Sequence, residues 1–353
     1  MSERRTISGG DVYGTHRVIE PPGALPQPAW RVDNDFSRLF AGEVLLAVET
    51  LNIDAASFTQ MEHEGDVASI VLRTVADRGK QHNPATGSGG MLLGRVIQVV
   101  SGAGEGPAPA AREALRVGDR VATLVSLSLT PLRIDRIKAV RPASAQIDIE
   151  GEAVLFASGA YAKLPQDMPE RLALAALDVA GAAPQVARLV RPGGVVVVLG
   201  AGGKSGVLCV AEARRTGGPG ACVVGLESSP RGADELRALG LCDAVVPADA
   251  RDPIAVRKAV LEATGGREAD VTFSCVNVPD TELGAILSTR DRGVVYFFAM
   301  STSFTKAALG AEGVGKDVDL FIGNGFAHGH AEHTLAMLRD LPGVRALFER
   351  RYG

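Results

Sequence analysis

The segment that most constrains the fold of this chain is residues 195–206, with the sequence VVVVLGAGGKSG. Five apolar residues end in a glycine-rich turn, and in the following VLCVAEARR the apolar residues return at helical spacing. This order of strand, tight turn and helix predicts the beginning of a βαβ unit. Glycines in such a turn let the backbone approach a phosphate closely, and the free N–H groups of the helix N-terminus attract an anion. The segment therefore predicts a binding site for a phosphate-bearing ligand.

The residues after this turn distinguish two kinds of phosphate site. A dinucleotide site requires a second strand that ends in an acidic residue roughly 20 residues later, where it binds ribose hydroxyls. Residues 221–226 provide such a strand, ACVVGL, and Glu227 follows. A P-loop instead requires a glycine where this chain has Val198. We therefore predict a dinucleotide site formed by Gly200, Gly202, Gly203, Lys204, Ser205, Gly206 and Glu227.

The acidic residue also predicts which dinucleotide binds. A carboxylate at Glu227 hydrogen-bonds the 2′-hydroxyl of NAD and repels the 2′-phosphate of NADP. Arg231 follows soon after and could weaken this preference. NAD is the predicted cofactor.

Composition limits the partners of the chain. Its 353 residues suffice for about two domains, and a net charge of −4 predicts no broad basic surface for nucleic acid. No apolar run approaches the roughly 20 residues of a membrane helix. The four cysteines form no CxxC pair, which favours buried thiols in a reducing compartment. We expect a cytoplasmic protein that binds a small molecule, with no nucleic-acid or membrane partner.

The pattern of elements divides the chain into two domains. Residues 1–165 contain strands and loops without βα alternation, which predicts a mostly β domain for the substrate. Residues 166–326 alternate strands with helices, which predicts an α/β domain with a doubly wound parallel sheet. A C-terminal helix within residues 327–353 is expected to pack back on the first domain. The six predicted strands of the parallel sheet are residues 195–199, 221–226, 244–247, 271–275, 294–298 and 318–322.

The ends of these strands predict further contacts. Ligands of a doubly wound sheet bind at the carboxyl ends of its strands. Asn277 and Met300 follow the fourth and fifth strands and are therefore predicted to contact the nicotinamide end of the cofactor. The sixth strand, residues 318–322, is predicted to lie at the sheet edge, where it can pair with its copy in a second subunit. We expect a homodimer formed through this edge strand.

Four segments occur in an order typical of one superfamily: GEVLLAVETLNID, LRVGDRVATL, YAKLPQDM and GAGGKSG. On these segments the chain resembles the medium-chain dehydrogenase/reductase superfamily over nearly its whole length. The resemblance implies a GroES-like β domain, followed by a Rossmann domain, in an oxidoreductase that uses a nicotinamide cofactor. The glycine turn is closer to the GxxGxxG of quinone reductases than to the GxGxxG of alcohol dehydrogenases.

Many members of this superfamily bind zinc, but the resembling positions here offer poor zinc ligands. Asn52 stands in place of the first cysteine, and Gly90 and Met91 stand in place of a His-Glu pair. Asp178 lies near the third ligand position. Zinc prefers thiolate and imidazole ligands, so we predict a zinc-free member. A separate group with a spacing that suits either a metal or the polar start of a helix is His328, His330 and His333.

Longer segments resemble one branch of the superfamily more closely. They include GTHRVIEPPGALPQPAW, TLNIDAASFTQ, NPATGSGGMLLG, ALDVAGAAPQVA and SFTKAALGAEGVGKDVD. This branch uses NAD to deaminate the C3 amine of a 3,5-diamino acid oxidatively, in lysine fermentation, and the resemblance implies that activity here. Two other interpretations stay open. One is a zinc-free quinone or enone reductase that uses NADPH, and the other is a nucleotide-binding protein without catalytic activity.

Amine oxidation requires a general base near the amine, and partners for the ammonium and carboxylate groups of the substrate. Asp178 is the first candidate base, with a helix N-cap as its structural alternative. Asp54 is the second, or else part of an ordinary turn after a strand. Lys80 is a base, a carboxylate ligand or a solvated loop lysine. The polar residues predicted to contact substrate are Asn52, Ser57, Thr86 and Ser88, the last two in a loop whose glycines could simply set its shape.

Overall fold

The computed structural model describes residues 4–83, 87–102 and 114–353. The side chains of residues 55 and 56 are not included in this description. The chain forms two compact units. The first unit is Met1–Asp178 with Arg351–Gly353, and the second unit is Val179–Arg350.

The first unit is built around an antiparallel sheet. Its described strands, in chain order β1 to β10, are Arg5–Ile7, Val18–Glu20, Arg31–Val32, Arg38–Phe40, Val44–Asn52, Met91–Val99, Arg120–Thr123, Leu132–Arg141, Gln146–Leu155 and Tyr161–Lys163. Six of them form a sheet in the order β10-β7-β6-β5-β9-β8, while β1 pairs with β4 and β2 with β3. The long strand β5 lies between β6 and β9, and its buried Leu46, Val48 and Leu51 belong to one apolar core. The expectation of a mostly β first domain is confirmed.

The α-helices in the described part of this unit are α1 Ala55–Glu64, α2 Val67–Arg78 and α3 Glu170–Leu177. The sequence did not reveal α1, because its residues AASFTQMEHE form no clear apolar stripe. An aspartate caps each of the first two helices. Asp54 accepts the backbone N–H of Ser57 in α1, and Asp66 accepts that of Ser69 in α2.

The division between the units lies after α3 rather than at the expected boundary between residues 165 and 166. Ion pairs explain why α3 belongs to the first unit. The Arg120 guanidinium in β7 pairs with Glu170 and with Glu49, and Arg171 contacts Asp148 in β9 at 3.0 Å. The composition shift around residue 165 gives no sign of these long-range contacts.

The second unit contains a parallel sheet. Its strands, β11 to β16, are Val195–Leu199, Cys222–Leu226, Ala244–Val246, Ala269–Ser274, Thr289–Phe297 and Asp319–Ile322. They are arranged in the order β13-β12-β11-β14-β15-β16, with every neighbouring pair parallel. Counted within this sheet, the order is 3-2-1-4-5-6, which is that of a doubly wound dinucleotide fold. The predicted α/β architecture is confirmed.

The helices of the second unit cover both faces of this sheet. They are α4 Ala182–Leu189, α5 Lys204–Gly217, α6 Pro230–Leu239, α7 Pro253–Thr264, α8 Glu282–Ser288, α9 Phe304–Gly313, α10 His330–Asp340 and α11 Pro342–Tyr352, whose last two residues group with the first unit.

The C-terminal segment, residues 327–353, was expected to pack on the first domain. Its helix α10 packs against α4 within the second unit, whereas Arg351–Gly353 group with the first unit. Two polar contacts hold α10 within the second unit. The Thr334 hydroxyl donates to the Ala180 carbonyl at 3.1 Å. His333 Nε2 lies 2.9 Å from a carboxylate oxygen of the buried Glu212 in α5.

No single helix in the described part of the chain is long and apolar enough to cross a membrane. One bent pair, α3 with α4, meets that test jointly by length and composition.

Candidate functional site

The glycine turn after β11 is held against the end of β12 by backbone hydrogen bonds. The N–H groups of Gly200 and Ala201 both donate to the Leu226 carbonyl, at 2.9 and 3.0 Å. Gly200 has a φ of +70°, which favours glycine, and its carbonyl accepts the N–H of Gly203 at 3.1 Å. The turn therefore places the beginning of α5 at the carboxyl edge of the sheet.

A side chain at either of two glycines would meet neighbouring atoms at close range, backbone atoms at Gly206 and the Glu227 side chain at Gly202. A Cβ at Gly206 would lie 2.1 Å from the Gly200 carbonyl oxygen. Because glycine has no Cβ, α5 can pack directly on the turn. A Cβ at Gly202 would lie 2.8 Å from Glu227 Oε2. Gly203 provides no side-chain cap for α5, which begins at Lys204. The N–H groups of a first helical turn have no intrahelical acceptors and attract an anion, so this cradle fits the pyrophosphate of a dinucleotide.

The predicted acidic residue lies against this turn. Glu227 Oε2 accepts the N–H of Gly202 at 2.9 Å, and Oε1 accepts the N–H of Ser229 at 2.9 Å. These two bonds hold the carboxylate between the turn and the beginning of α6. Arg231 is directed along α6 to Glu235, 3.4 Å away.

The ends of β14 and β15 lie at the same edge of the sheet. The Ser301 hydroxyl contacts the carbonyls of Val276 and Val278 at 3.2 Å each, which joins the two segments that follow these strands. Asn277 lies within the first of them and is exposed, as is Met300, at 69%. The structure thus places both predicted residues at the carboxyl edge where the glycine turn lies.

In the first unit, Asn52 is the last residue of β5 and is fully buried. Its Oδ1 accepts a hydrogen bond from Gln146 Nε2 at 3.2 Å, and Arg171 in turn lies 3.4 Å from Gln146 Oε1. This arrangement orients the Asn52 amide so that Nδ2 is its remaining donor. Asn52 Nδ2 is buried and has no hydrogen-bond partner among the described residues.

Asp54 is the N-cap of α1. Its alternative role as an ordinary turn residue after β5 is therefore that of a helix cap. Its Oδ1 accepts the Ser57 N–H at 2.9 Å, while Oδ2 is buried and has no partner within residues 4–83, 87–102 and 114–353. The Ser57 hydroxyl accepts Asn83 Nδ2 at 2.7 Å, which links α1 to the segment after α2. Ser88 contributes its carbonyl to the Asn83 N–H at 2.8 Å. Thr86 lies outside the described residues.

Lys80 requires a correction, because it is not a solvated loop lysine. Its side chain is fully buried, and Nζ donates to the carbonyls of Pro26 and Gln27 at 2.6 and 3.0 Å. Burial, together with the charge of Arg78, lowers the pKa of Lys80 to about 8. Because two of its three N–H donors hold the segment at residues 26 and 27, we assign Lys80 a structural role instead of base or carboxylate ligand.

Two further side chains that follow Lys80 in the chain, those of Gln81 and His82, have buried polar atoms. Gln81 is 2% exposed, and its Oε1 has no described hydrogen-bond partner. His82 Nδ1 is likewise buried without a partner in the described chain, and burial, aided by Lys80 and Arg78, lowers the pKa of His82 to about 4. Gln81 could not be selected from its sequence context, because a polar run after a helix gives no sign of which side chains turn inward.

Asp178 is at the end of α3, not at the beginning of a helix. Its N–H donates to the Leu174 carbonyl at 3.1 Å, and Gly181, not Asp178, precedes α4. The N-cap alternative is therefore wrong. Asp178 is the C-cap residue of α3, and a carboxylate at a helix C-terminus is disfavoured by the helix dipole.

The three C-terminal histidines point to different surroundings. The His333 ring bonds Glu212, as described above, and lies 3.0 Å from Arg215. The rings of His328 and His330 both contact Phe326 edge-on, and burial lowers the pKa of His330. Across the described residues, no group of three His, Cys, Asp or Glu side chains could hold a metal ion.

A strand-rich first unit, followed by a doubly wound unit with a glycine turn, defines the medium-chain dehydrogenase/reductase fold. Solved structures with this fold are similar to the chain at low sequence identity. An alcohol dehydrogenase from Thermotoga maritima matches with a TM-score of 0.54 and 16% identity, over 86% of this chain and 83% of the other. An Escherichia coli quinone oxidoreductase complexed with NADPH matches with a TM-score of 0.54 and 18% identity, over 86% and 80%.

Sequence relatives are much closer. The family model of the L-erythro-3,5-diaminohexanoate dehydrogenase N-terminal domain matches residues 16–165. An L-erythro-3,5-diaminohexanoate dehydrogenase from Acetoanaerobium sticklandii is 52% identical, over 97% of this chain and 99% of the relative. A protein of the same name from Fusobacterium nucleatum is 50% identical over the same shares. The chain belongs to the L-erythro-3,5-diaminohexanoate dehydrogenase family.

Proposed function

We propose that this protein oxidises L-erythro-3,5-diaminohexanoate at C3 and releases 5-amino-3-oxohexanoate and ammonia. The observation that carries the proposal is the 52% identity to a dehydrogenase of that name, across nearly the full length of both chains. The two units supply what the reaction needs, namely a dinucleotide cradle and a set of polar side chains suited to a charged substrate.

A bound nicotinamide dinucleotide supplies the acceptor for the hydride that leaves C3. Loss of hydride from the neutral amine would leave an iminium at C3, and water would then add at C3, lose a proton and expel ammonia to give the ketone. Only the neutral amine releases hydride readily, so a group of the protein must take its proton. We propose Asp178 as this base, because it places a carboxylate at the C-terminus of α3, where the helix dipole does not stabilise a negative charge.

We propose NAD as the cofactor rather than NADP. Glu227 supports this choice, since its carboxylate is held at the glycine turn by Gly202 and Ser229. A 2′-phosphate next to that carboxylate would be repelled, and the pairing of Arg231 with Glu235 leaves the repulsion uncompensated by Arg231.

Replacing the charge of Glu227 tests this choice. The variant Glu227→Gln should lower the ratio of kcat/KM for NAD to that for NADP by roughly tenfold, or about 1.4 kcal/mol. Glu262→Gln, which neutralises an exposed carboxylate on α7, is the control and should keep the ratio. An unchanged ratio in Glu227→Gln would remove the basis for the NAD preference.

We propose that catalysis needs no zinc. The Asn52 carboxamide, which stands at the resembling position of a zinc cysteine, is already bonded to Gln146. Carboxamide, glycine and methionine are poor zinc ligands compared with thiolate and imidazole.

We also propose a homodimer that forms through β16. This strand is at one edge of the parallel sheet, and Phe321 and Ile322 expose 45% and 62% of their surfaces there. An unpaired edge with apolar side chains is suited to pairing with its own copy. A monomeric mass by light scattering at micromolar concentration would contradict this assembly. All four cysteine thiols are free, which supports placing the enzyme in the reducing cytoplasm. We propose a role in lysine fermentation on the basis of the family to which the chain belongs.

The first experiment is an absorbance assay for NADH. Purified protein would be mixed with NAD and L-erythro-3,5-diaminohexanoate at mildly alkaline pH, with and without a chelator. We expect NADH formation that persists with chelator. Loss of the rate on chelation would contradict the zinc-free proposal, and no NADH despite intact cofactor binding would favour a reductase or a non-catalytic nucleotide-binding protein.

A further inference from the structure

We propose that Asp54 and Gln81 form the subsite for the C5 ammonium of the substrate, and that this pair selects a diamino acid over a monoamino acid. The inference rests on the function proposed above and adds to it the residues that recognise the second amine, which does not react.

The Asp54 carboxylate has one oxygen committed to structure and one available. Oδ1 caps α1 through the Ser57 N–H, whereas Oδ2 is buried and without a partner among the described residues. Leaving a buried polar atom unbonded costs roughly 1–3 kcal/mol, and more for a charged group. A helix cap needs only one of the two oxygens, so capping does not explain the buried position of the second.

Gln81 supplies a second acceptor in the same neighbourhood. Two consecutive glycines, Gly89 and Gly90, lie against the backbones of Gln81 and Asn52. A Cβ at Gly89 would lie 2.4 Å from the Gln81 carbonyl oxygen, and a Cβ at Gly90 would lie 2.1 Å from the Asn52 carbonyl oxygen. The segment after α2 thus runs beside the end of β5, and the bond from Asn83 to Ser57 joins it to the helix that Asp54 caps.

The chemistry of these atoms selects the ligand. Asp54 Oδ2 and Gln81 Oε1 are both hydrogen-bond acceptors, and an ammonium offers three donors and a positive charge. Asn52 Nδ2 is a donor and is therefore not part of this subsite.

The two cationic residues that precede Gln81 in the sequence, Arg78 and Lys80, contact other groups. Lys80 bonds the carbonyls of Pro26 and Gln27, and the Arg78 guanidinium lies over the Trp30 ring at 3.9 Å. Each is therefore directed to the segment at residues 26–30, and neither neutralises Asp54 by a contact.

The test compares two substrates that differ only in the second amine. L-erythro-3,5-Diaminohexanoate and 3-aminohexanoate both carry the reacting C3 amine, but the second lacks the C5 amine. Wild-type enzyme should oxidise the diamino acid with the higher kcat/KM. Asp54→Asn should lower kcat/KM for the diamino acid by roughly 10- to 100-fold, as expected for loss of a charge-assisted hydrogen bond, and leave 3-aminohexanoate within about threefold.

The choice of variants separates recognition from folding. Asparagine is as good an N-cap as aspartate, so Asp54→Asn keeps α1 capped. Asp66→Asn is the matched control, because Asp66 caps α2 in the same way but is exposed to solvent. Gln81→Met keeps side-chain length and should reduce discrimination by roughly three- to tenfold.

Each outcome decides the proposal. Equal losses on both substrates in Asp54→Asn, or a wild-type enzyme that does not prefer the diamino acid, would overturn it. If the wild-type enzyme oxidises neither compound, the proposed function fails, and calorimetric binding of the same two compounds then decides the subsite. Tighter binding of the diamino acid that Asp54→Asn abolishes would still support the subsite, and equal binding would reject it.

Discussion

The glycine turn of the second unit and the polar residues of the first unit are organised in opposite ways. At the turn, backbone groups make most of the hydrogen bonds, and both carboxylate oxygens of Glu227 accept backbone N–H groups. In the first unit, a side-chain hydrogen bond from Asn83 to Ser57 joins the segment after α2 to α1, and Asn52, Asp54 and Gln81 keep buried polar atoms without described partners.

This difference corresponds to two kinds of recognition. A dinucleotide phosphate can be bound by N–H groups whose positions follow from the local backbone conformation. A flexible diamino acid needs side chains of matching charge and hydrogen-bonding type, held at fixed positions by the fold around them. We therefore expect the cofactor site to be sensitive to steric changes and the substrate site to changes of charge.

The largest expected effect comes from the proposed base. Asp178→Asn should lower kcat by roughly 10²- to 10⁴-fold, the usual contribution of general base catalysis, while NAD affinity by fluorescence titration stays the same. The remaining rate should rise about tenfold per pH unit below the pKa of the substrate amine, because free base then provides the neutral amine. Asp135→Asn, at an exposed aspartate of the first unit, should have wild-type kinetics.

Wild-type kcat in Asp178→Asn would show that this carboxylate is not the base. It would also contradict the expectation that the substrate site is sensitive to changes of charge.

A smaller effect is expected from a methyl group in the turn. Gly206→Ala places a Cβ 2.1 Å from the Gly200 carbonyl oxygen and 2.8 Å from Ala201 Cα. Such overpacking typically costs about 1–3 kcal/mol, so NAD affinity by fluorescence titration should fall roughly 10- to 100-fold.

Gly220→Ala is the matched control for this steric effect, since a Cβ there would meet Gly193 Cα at an ordinary 3.7 Å. NAD affinity that is the same in Gly206→Ala and wild type would mean that the turn is not the cofactor cradle.

The smallest expected effect concerns the buried imidazole of the first unit. Burial, then the charges of Lys80 and Arg78, lower the pKa of His82 from 6.5 to about 4. Between these values the unfolded chain binds a proton that the folded chain does not, so the free energy of unfolding decreases as pH falls from 6.5 to 4. His82→Gln should weaken this pH dependence in urea unfolding curves.

The control for this measurement is His63→Gln, which removes an exposed histidine near the end of α1 and should keep the wild-type dependence. An identical pH dependence in His82→Gln and wild type would mean that His82 is protonated in the folded protein as readily as in the unfolded one.

The sequence by itself determined the architecture of the second unit and its glycine turn. A strand of five apolar residues, a run of glycines and an acidic residue after the next strand are all local features, because backbone sterics and hydrogen bonding act between residues that are close in the chain. The bounds of β11 and β16 accordingly fall within a residue of those predicted.

Only the tertiary structure decided which polar side chains of the first unit are turned inward. Lys80 and Gln81 are adjacent in a polar run, yet the Lys80 ammonium bonds the carbonyls of residues 26 and 27, while Gln81 Oε1 is buried without a described partner. The placement of Asp178 at the end of α3 likewise depends on the ion pair of Arg171 with Asp148 and similar long-range contacts. Such contacts join residues far apart in the chain, so no local pattern of residue types encodes them.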